Sequence, residues 1–293
     1  FALTFGTATA SAITTQPSGA VNGVAFTQQP VIRIVDASGN TVTDSTVNVV
    51  ASIASGTGTL SGTTTVAAVS GVATFTNLVI TGTAGNFTLT FTPTALTAVT
   101  SNSFALAVGA ATASAITTQP SGAVNGVAFT TQPVIRIVDS GGNTVTTSTV
   151  NVVASIASGT GTLSGTTTVA AVSGVATFTN LVITGTAGNF TLTFTPTSLT
   201  AITSASFALT FGTATASAIT TQPSGAVNGV AFTQQPVIRI VDASGNTVTD
   251  STVNVVASIA SGTGTLSGTT TVAAVSGVAT FTNLVITGTA GNF

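Results

Sequence analysis

The 293-residue chain has no cysteine, histidine, lysine, glutamate, methionine, tryptophan or tyrosine. Without histidine and cysteine it cannot build the usual zinc, copper, haem or iron–sulfur sites. It also lacks the parts of a Ser-His-Asp triad, a Cys-His pair and a lysine Schiff base. No disulfide can form. Positive charge is confined to Arg33, Arg136 and Arg239, and negative charge to Asp36, Asp44, Asp139, Asp242 and Asp250. Three arginines at a net charge of −2 cannot supply the basic face that nucleic acid requires. Acid–base chemistry on paired carboxylates would fall to Asp36 and Asp44 alone. The composition therefore points away from an enzyme, with no cofactor, and away from nucleic acid.

Long apolar runs are missing as well. Residues of hydrophobic type make up 43% of the chain, but Thr, Ser and Gly interrupt them everywhere. No stretch reaches the ~18 uninterrupted apolar residues of a membrane-spanning helix, so no membrane insertion is expected. There is no initiator Met and no signal-peptide pattern, and Phe1 falls in mid-pattern. The chain reads as a window onto a longer polypeptide.

What is present is a long repeat. The string SAITTQPSGAVNGVAFT begins at Ser11, Ser114 and Ser217, a period of 103 residues. Residues 1–87 recur unchanged as 207–293, and the middle copy, 104–206, differs from 1–103 at ten positions. Among them are Phe5 to Val108, Gln28 to Thr131 and Asp44 to Thr147. The array is A-B-A. A period this long exceeds a solenoid turn and matches one small domain with its own core.

Inside a repeat, apolar and polar residues alternate with period two. Val47, Val49, Ala51 and Ile53 mark one face, and Phe87-Thr88-Leu89-Thr90-Phe91-Thr92 alternates strictly. Phe26, Phe75, Phe87, Phe91 and Phe104 read as core rather than as pocket lining. Turn signals such as Gln16-Pro17-Ser18-Gly19, Asn22-Gly23, Asp36 to Asn40 and Ser70-Gly71 recur every 8–12 residues or so. Seven or more short strands with such punctuation predict an antiparallel sandwich. The short linker Gly6-Thr7-Ala8-Thr9-Ala10 predicts closely spaced, end-to-end neighbours.

Two segments carry a family resemblance. Val31-Ile32-Arg33-Ile34-Val35-Asp36-Ala37-Ser38-Gly39-Asn40-Thr41-Val42 resembles the strand–turn–strand signature of bacterial Ig-like repeats. GTGTLSGTTTVAAVSGVATFTNLVI, Gly56 to Ile80, resembles the segment that follows it there. Repeats of this invasin/intimin-like type occur in adhesins and in giant Thr-rich surface proteins. The resemblance covers all three repeats. It implies an all-β fold of tandem immunoglobulin-like β-sandwich domains, end to end as a rod, serving as stalk, spacer or fibre unit. With no lysine, the Lys–Asn isopeptide staple of some such domains is excluded.

The expected domains are 1–7 as the last strand of a preceding repeat, 8–110 as repeat A, 111–213 as repeat B, and 214–293 as a second repeat A truncated before its last strands. The missing strands of the third repeat fit a cut in a longer array. Strand donation between chains is the sharper alternative, weakened because the leading strand does not supply the sixteen absent residues.

Candidate sites are few. Arg33/Asp36, Arg136/Asp139 and Arg239/Asp242 recur as structural pairs, with each aspartate expected to open a turn by accepting backbone N–H bonds. Asp36, Asn40 and Asp44 are a weak calcium candidate. Repeat B has Thr147 in place of Asp44, and a calcium site wants about six to eight oxygen ligands. Asn86-Phe87-Thr88 and Asn189-Phe190-Thr191 match the N-glycosylation pattern. The Thr-x-Thr pairs read as solvent-facing strand residues rather than an ice-binding grid.

With almost no charge, the exposed faces carry no repulsion to keep copies apart, and tandem copies present the same patch at intervals. The expectation is an extracellular, cell-surface structural protein. It would be a segment of a fibre, pilus-like filament or stalk whose main partner is itself, with glycans as a candidate second partner. The alternative is the spacer of an adhesin whose ligand-binding domain lies outside this chain.

Overall fold

A computed structural model describes residues 3–293. The first repeat contains β1 (Ala8–Thr15), β2 (Ala20–Val21), β3 (Val31–Asp36), β4 (Asn48–Ser55), β5 (Gly58–Ser61) and β6 (Thr65–Ala67). It continues with β7 (Val72–Thr74), β8 (Val79–Gly82), β9 (Gly85–Pro93), β10 (Val99–Thr100) and β11 (Phe104–Ala107). One sheet has the order β1-β3-β7, and the other β2-β11-β9-β4-β6 with β10 on β9. β5 and β8 form a short ladder of their own. The orders β1-β3-β7 and β11-β9-β4 correspond to A-B-E and G-F-C of the immunoglobulin sandwich. The fold is therefore legible from strand order alone.

The period-two pattern decides which face is buried. On β9, Phe87, Leu89 and Phe91 are buried while Thr92 is exposed. On β4, Val49 and Ala51 are buried while Val50 and Ser52 face out. These side chains meet Ile32 and Ile34 of β3, Ala73 of β7, and Phe75, Leu78 and Ile80 in a single core. Phe75 and Phe91 pack with ring centroids 5.4 Å apart, and Phe26 meets Phe104 edge-on at 5.6 Å. Phe26, Phe75, Phe87 and Phe91 are buried, and Phe104 is half-buried against them.

The β6–β7 connection shows the local logic. Val69 and Val72 exchange both backbone hydrogen bonds, and Ser70 and Gly71 both have positive φ, 50° and 76°. That is the two-residue primed turn whose twist suits a hairpin. A Cβ at Gly71 would collide with the Val42 carbonyl.

The second repeat repeats this architecture. Its sheets have the same orders, and its core substitutes residue for residue, from Ile135 and Ile137 to Phe190, Leu192 and Phe194. Its closing strand is Phe207–Thr210. Between the closing strand of the first repeat and Ala113, where the next begins, residues 108–112 form no strand.

At the leading end, Leu3 to Thr7 form no strand either, and Phe1 and Ala2 lie outside the described residues. The repeat that this segment would close is not among the described residues, so Leu3 to Phe5 have no sheet to join here. The counterparts of Leu3 and Thr4, Leu106 and Ala107, are held by β2, and Leu106 also by β9, of the repeat they close, and the described residues offer Leu3 no such partners. Leu3 is 88% exposed, whereas Leu106 is 2% exposed.

In the third repeat, Gly291 to Phe293 correspond to the first residues of β9. The strand matching β4 is shortened to Asn254–Val256, and an open groove of about 680 Å³ lies between Ile219, Phe232, Val255, Phe281, Leu284 and Phe293. Ile240, Val248, Ala274 and Ala279 remain a buried cluster there, and Phe281 and Leu284 stay buried beside the groove.

Candidate functional site: the joint between repeats

β3 ends on Asp36, and the chain must reverse before Thr41. Asp36 makes the reversal by accepting the N–H groups of Ser38 and Asn40 on Oδ1, both at 2.9 Å. Asn40 adds its amide to Oδ2 at 3.1 Å. The second carboxylate oxygen also binds the incoming linker, accepting from Gly6 N–H at 2.8 Å. One aspartate thus ties a turn to the segment that enters the repeat. Asp139 does the same with Gly141, Asn143 and Gly109. Asp242 does so with Ser244, Asn246 and Gly212.

These bonds favour the ionised form. The Gly6 N–H, then the Asn40 side chain and backbone, hold the Asp36 carboxyl down at about 2. At Asp139, burial pushes the carboxyl up, but the N–H groups of Gly109 and Asn143, the Asn143 amide and Gly141 N–H outweigh it. Its pKa is lowered overall. At Asp242, burial is again opposed and outweighed, by Gly212, Asn246 and the Asn125 side chain.

The turns of the second and third repeats also reach back onto the repeat before. Asn143 Oδ1 accepts from Ala84 N–H at 2.8 Å, and its amide donates to the Gly82 carbonyl at 2.8 Å. Asn246 makes the same two bonds to Ala187 and Gly185, at 2.7 and 2.9 Å. On the receiving side sit Asn22 and Asn125, both buried. The backbone N–H of each is bound to the closing strand of its own repeat, at Ala107 and Thr210. Each Asn side chain also accepts from the β8-end glycine, Gly82 or Gly185. Serines reach across to them: Ser140 Oγ lies 3.4 Å from Asn22 Oδ1, and Ser244 Oγ lies 3.2 Å from Asn125 Oδ1. The joint is a polar clasp of turn, linker and asparagine socket.

The other candidates fall elsewhere. Arg33 stands three residues before Asp36 on β3, so the two point to opposite faces. Asp36 takes no hydrogen bond from it, and among the described residues Arg33 Nε has no hydrogen-bond partner. Arg136 and Arg239 repeat this, except that Arg136 Nη2 donates weakly to the Gly142 carbonyl at 3.5 Å. The expected pairing of arginine with aspartate is corrected: the aspartate is spent on backbone, linker and asparagine. Of the calcium candidates, Asp36 and Asn40 bond to each other while Asp44 stands exposed. Among the described residues no cluster of three or more acidic or other metal-ligating side chains forms. Asn86 and Asn189 are exposed near the starts of their strands.

Asn22 and Asn143 were legible only as turn residues, because their partners lie about 60 residues away in the chain. A signal did exist: of the ten positions that separate repeats A and B, five lie at the end of the closing strand, in the linker or in the turn. They are Thr4/Ala107, Phe5/Val108, Thr7/Ala110, Ala37/Ser140 and Ser38/Gly141.

No protein-family model and no curated protein matches the chain. Among solved structures it is similar to FdeC, described as an Escherichia coli adhesin. That alignment has 19% identity and a TM-score of 0.37, covering 99% of this chain and 92% of the other. It is similar to the D0–D1 domain of intimin at 18% identity and a TM-score of 0.26, covering 69% of this chain and 98% of that one. Domains 5–6 of the S-layer protein SbsC align at 18% identity and a TM-score of 0.24, covering 72% and 99%.

Proposed function

We propose that the chain is a load-bearing segment of an extracellular, cell-surface fibre, pilus-like filament or stalk, built of tandem Ig-like domains that associate with copies of themselves. The observation that carries this reading is the joint. The same linker–aspartate bond and the same two asparagine bonds occur at both boundaries between repeats. A boundary held by hydrogen bonds on both sides of a short linker restricts bending, unlike a flexible tether. Length and stiffness then scale with copy number.

Support for self-association comes from the outer face of the β4–β9 sheet. Val50, Ser52 and Thr92 face solvent there, Ser55 bonds Thr88 at 2.8 Å, and Thr90 bonds Thr100 at 3.3 Å. The face carries no charge, and the second repeat presents it again with Val153, Ser155 and Thr195. The alternative reading is the spacer of an adhesin whose ligand-binding domain lies outside this chain; the same joint would serve it.

Electron microscopy of the vitrified protein tests this. Bundled or ordered filaments are expected, and they should disperse when Thr92 and Thr195 are both changed to lysine. Isolated rods in both proteins would reject self-association and leave the spacer reading. Freely jointed beads would reject the stiff stalk as well.

A further inference from the structure

The two joints are not the same, and the difference traces to one position. Repeat B carries Asp139-Ser140-Gly141 where repeat A carries Asp242-Ala243-Ser244. At the A-to-B joint, the Asn22 amide donates to the Gly82 carbonyl of its own repeat. At the B-to-A joint, the equivalent amide of Asn125 crosses the boundary and donates to Asp242 Oδ2 at 2.8 Å, in a buried position.

The cause is steric. A Cβ added at Gly141 would land on the Asn22 amide nitrogen and the Gly82 carbonyl oxygen. The space that Gly141 leaves empty is thus filled by the Asn22 amide. At the other joint that space belongs to the Ser244 side chain. The Asn125 amide is displaced onto the carboxylate, while its oxygen, like that of Asn22, accepts from a glycine N–H and a serine hydroxyl.

Neighbouring substitutions follow the same division. The turn closes over Gly23 in the first joint, where an added Cβ would lie 2.6 Å from Ser140 Oγ. At Gly126 in the second joint an added Cβ meets nothing within 4 Å. Phe211 packs against the third repeat's core, while its counterpart Val108 is 40% exposed. A cavity of about 660 Å³ beside the second linker is lined by Phe211, Gly212, Val248 and Asp250, among others.

We infer that the residue two places after the joint aspartate, Gly141 or Ser244, sets where the preceding repeat's asparagine bonds, so that A and B repeats encode two different joints. With serine, the joint is locked across the boundary by a hydrogen bond to an ionised carboxylate, the stronger kind. With glycine, the linker N–H still binds the carboxylate, but the asparagine socket of the preceding repeat is closed by neutral bonds alone. In an alternating array the B–A pair is then the stiff unit, and each A-to-B joint is the place that yields first. This holds whether or not chains associate laterally.

Side-chain amide NMR on the full chain tests it, with Asn22 and Asn125 assigned by single substitution. Removing the joint carboxylate by Asp242→Asn should shift the Asn125 amide protons, which bond to it, whereas Asp139→Asn should move those of Asn22, which bond to Gly82, several-fold less. The other charged groups near the turns, Arg136, Arg239 and Asp250, are untouched by either substitution. Gly141→Ser should give Asn22 a response of the Asn125 size, and Ser244→Gly should abolish that of Asn125. Equal responses of Asn22 and Asn125 in the parent protein would overturn the inference. So would an unresponsive Asn22 in a Gly141→Ser protein with parent-like circular dichroism. If that variant does not fold, a full Asn125 response in Ser244→Gly overturns it instead.

Discussion

Replacing Asp139 by asparagine should free the linker without unfolding either repeat. Oδ1 accepts the backbone N–H groups of Gly141 and Asn143, Oδ2 accepts that of Gly109, and the Asn143 amide reaches both oxygens. An asparagine has a single acceptor oxygen, which will stay with the two turn N–H groups. Its NH2 then faces the Gly109 N–H, donor against donor. Gly109 is buried, so its N–H has no water to turn to. A buried donor left unpaired costs about 2–3 kcal/mol when the lost acceptor was charged. The strand pairs of the second repeat do not involve the carboxylate and remain. The loss therefore appears as local opening of residues 108–112. Hydrogen exchange at the Gly109 amide should quicken by roughly 30- to 150-fold, at about 1.4 kcal/mol per factor of ten. Gly212 at the other joint, bound to Asp242 at 2.8 Å, serves as the internal control and should not change. A change at Gly109 below about threefold would mean that the linker is held by something other than this carboxylate, and the reasoning would fail.

Acid should loosen the joints in a defined window. The joint aspartates have folded pKa values below the unfolded 3.8, with Asp36 at about 2. Their contribution is complete above about pH 5 and is lost as pH falls from about 4 towards 2. With no histidine or lysine, denaturation midpoints should be flat from pH 5 to 9; a transition near pH 6–7 would contradict this. Phe91→Ala, at a fully buried position, should cost about 3–5 kcal/mol. Because the first and second cores are separate, calorimetry should show a new low-temperature transition while the second repeat melts as before. Gly71→Ala combines positive φ with a collision at the Val42 carbonyl and should cost about 1–3 kcal/mol, read from urea midpoints. Thr92→Lys, on the exposed face, should leave stability within about 0.5 kcal/mol. A larger loss would show that this face is not free.

The sandwich was readable because alternation is local information. Phe87, Leu89 and Phe91 announce a buried face, and Thr88, Thr90 and Thr92 its opposite, whatever they pack against. The turn at Asp36 was readable for the same reason, its acceptors lying two and four residues on. The clasp was not. Asn22 looks like any asparagine before a glycine, and its role depends on Gly82 and on a turn more than 100 residues away. Arg33 misled because adjacency of opposite charges in sequence says nothing about which face of a strand each occupies. The comparison that does reveal the joint is internal: repeats that share every core residue but one conservative pair, Val99 and Ile202, diverge where they meet their neighbours.

The placement of the first and last strands determines how a pull is felt. β1 enters beside Asp36, since Ala8 pairs there, and β11 leaves beside Asn22, whose N–H binds Ala107. The two strands sit in different sheets and run the same way from one pole of the sandwich to the other. Tension along the array therefore drags β1 and β11 lengthwise past their neighbours. Every rung of each ladder is stressed at once, in shear, instead of opening one after another like a zip. A repeat built this way resists a steady end-to-end pull far better than a peeling force applied at one edge.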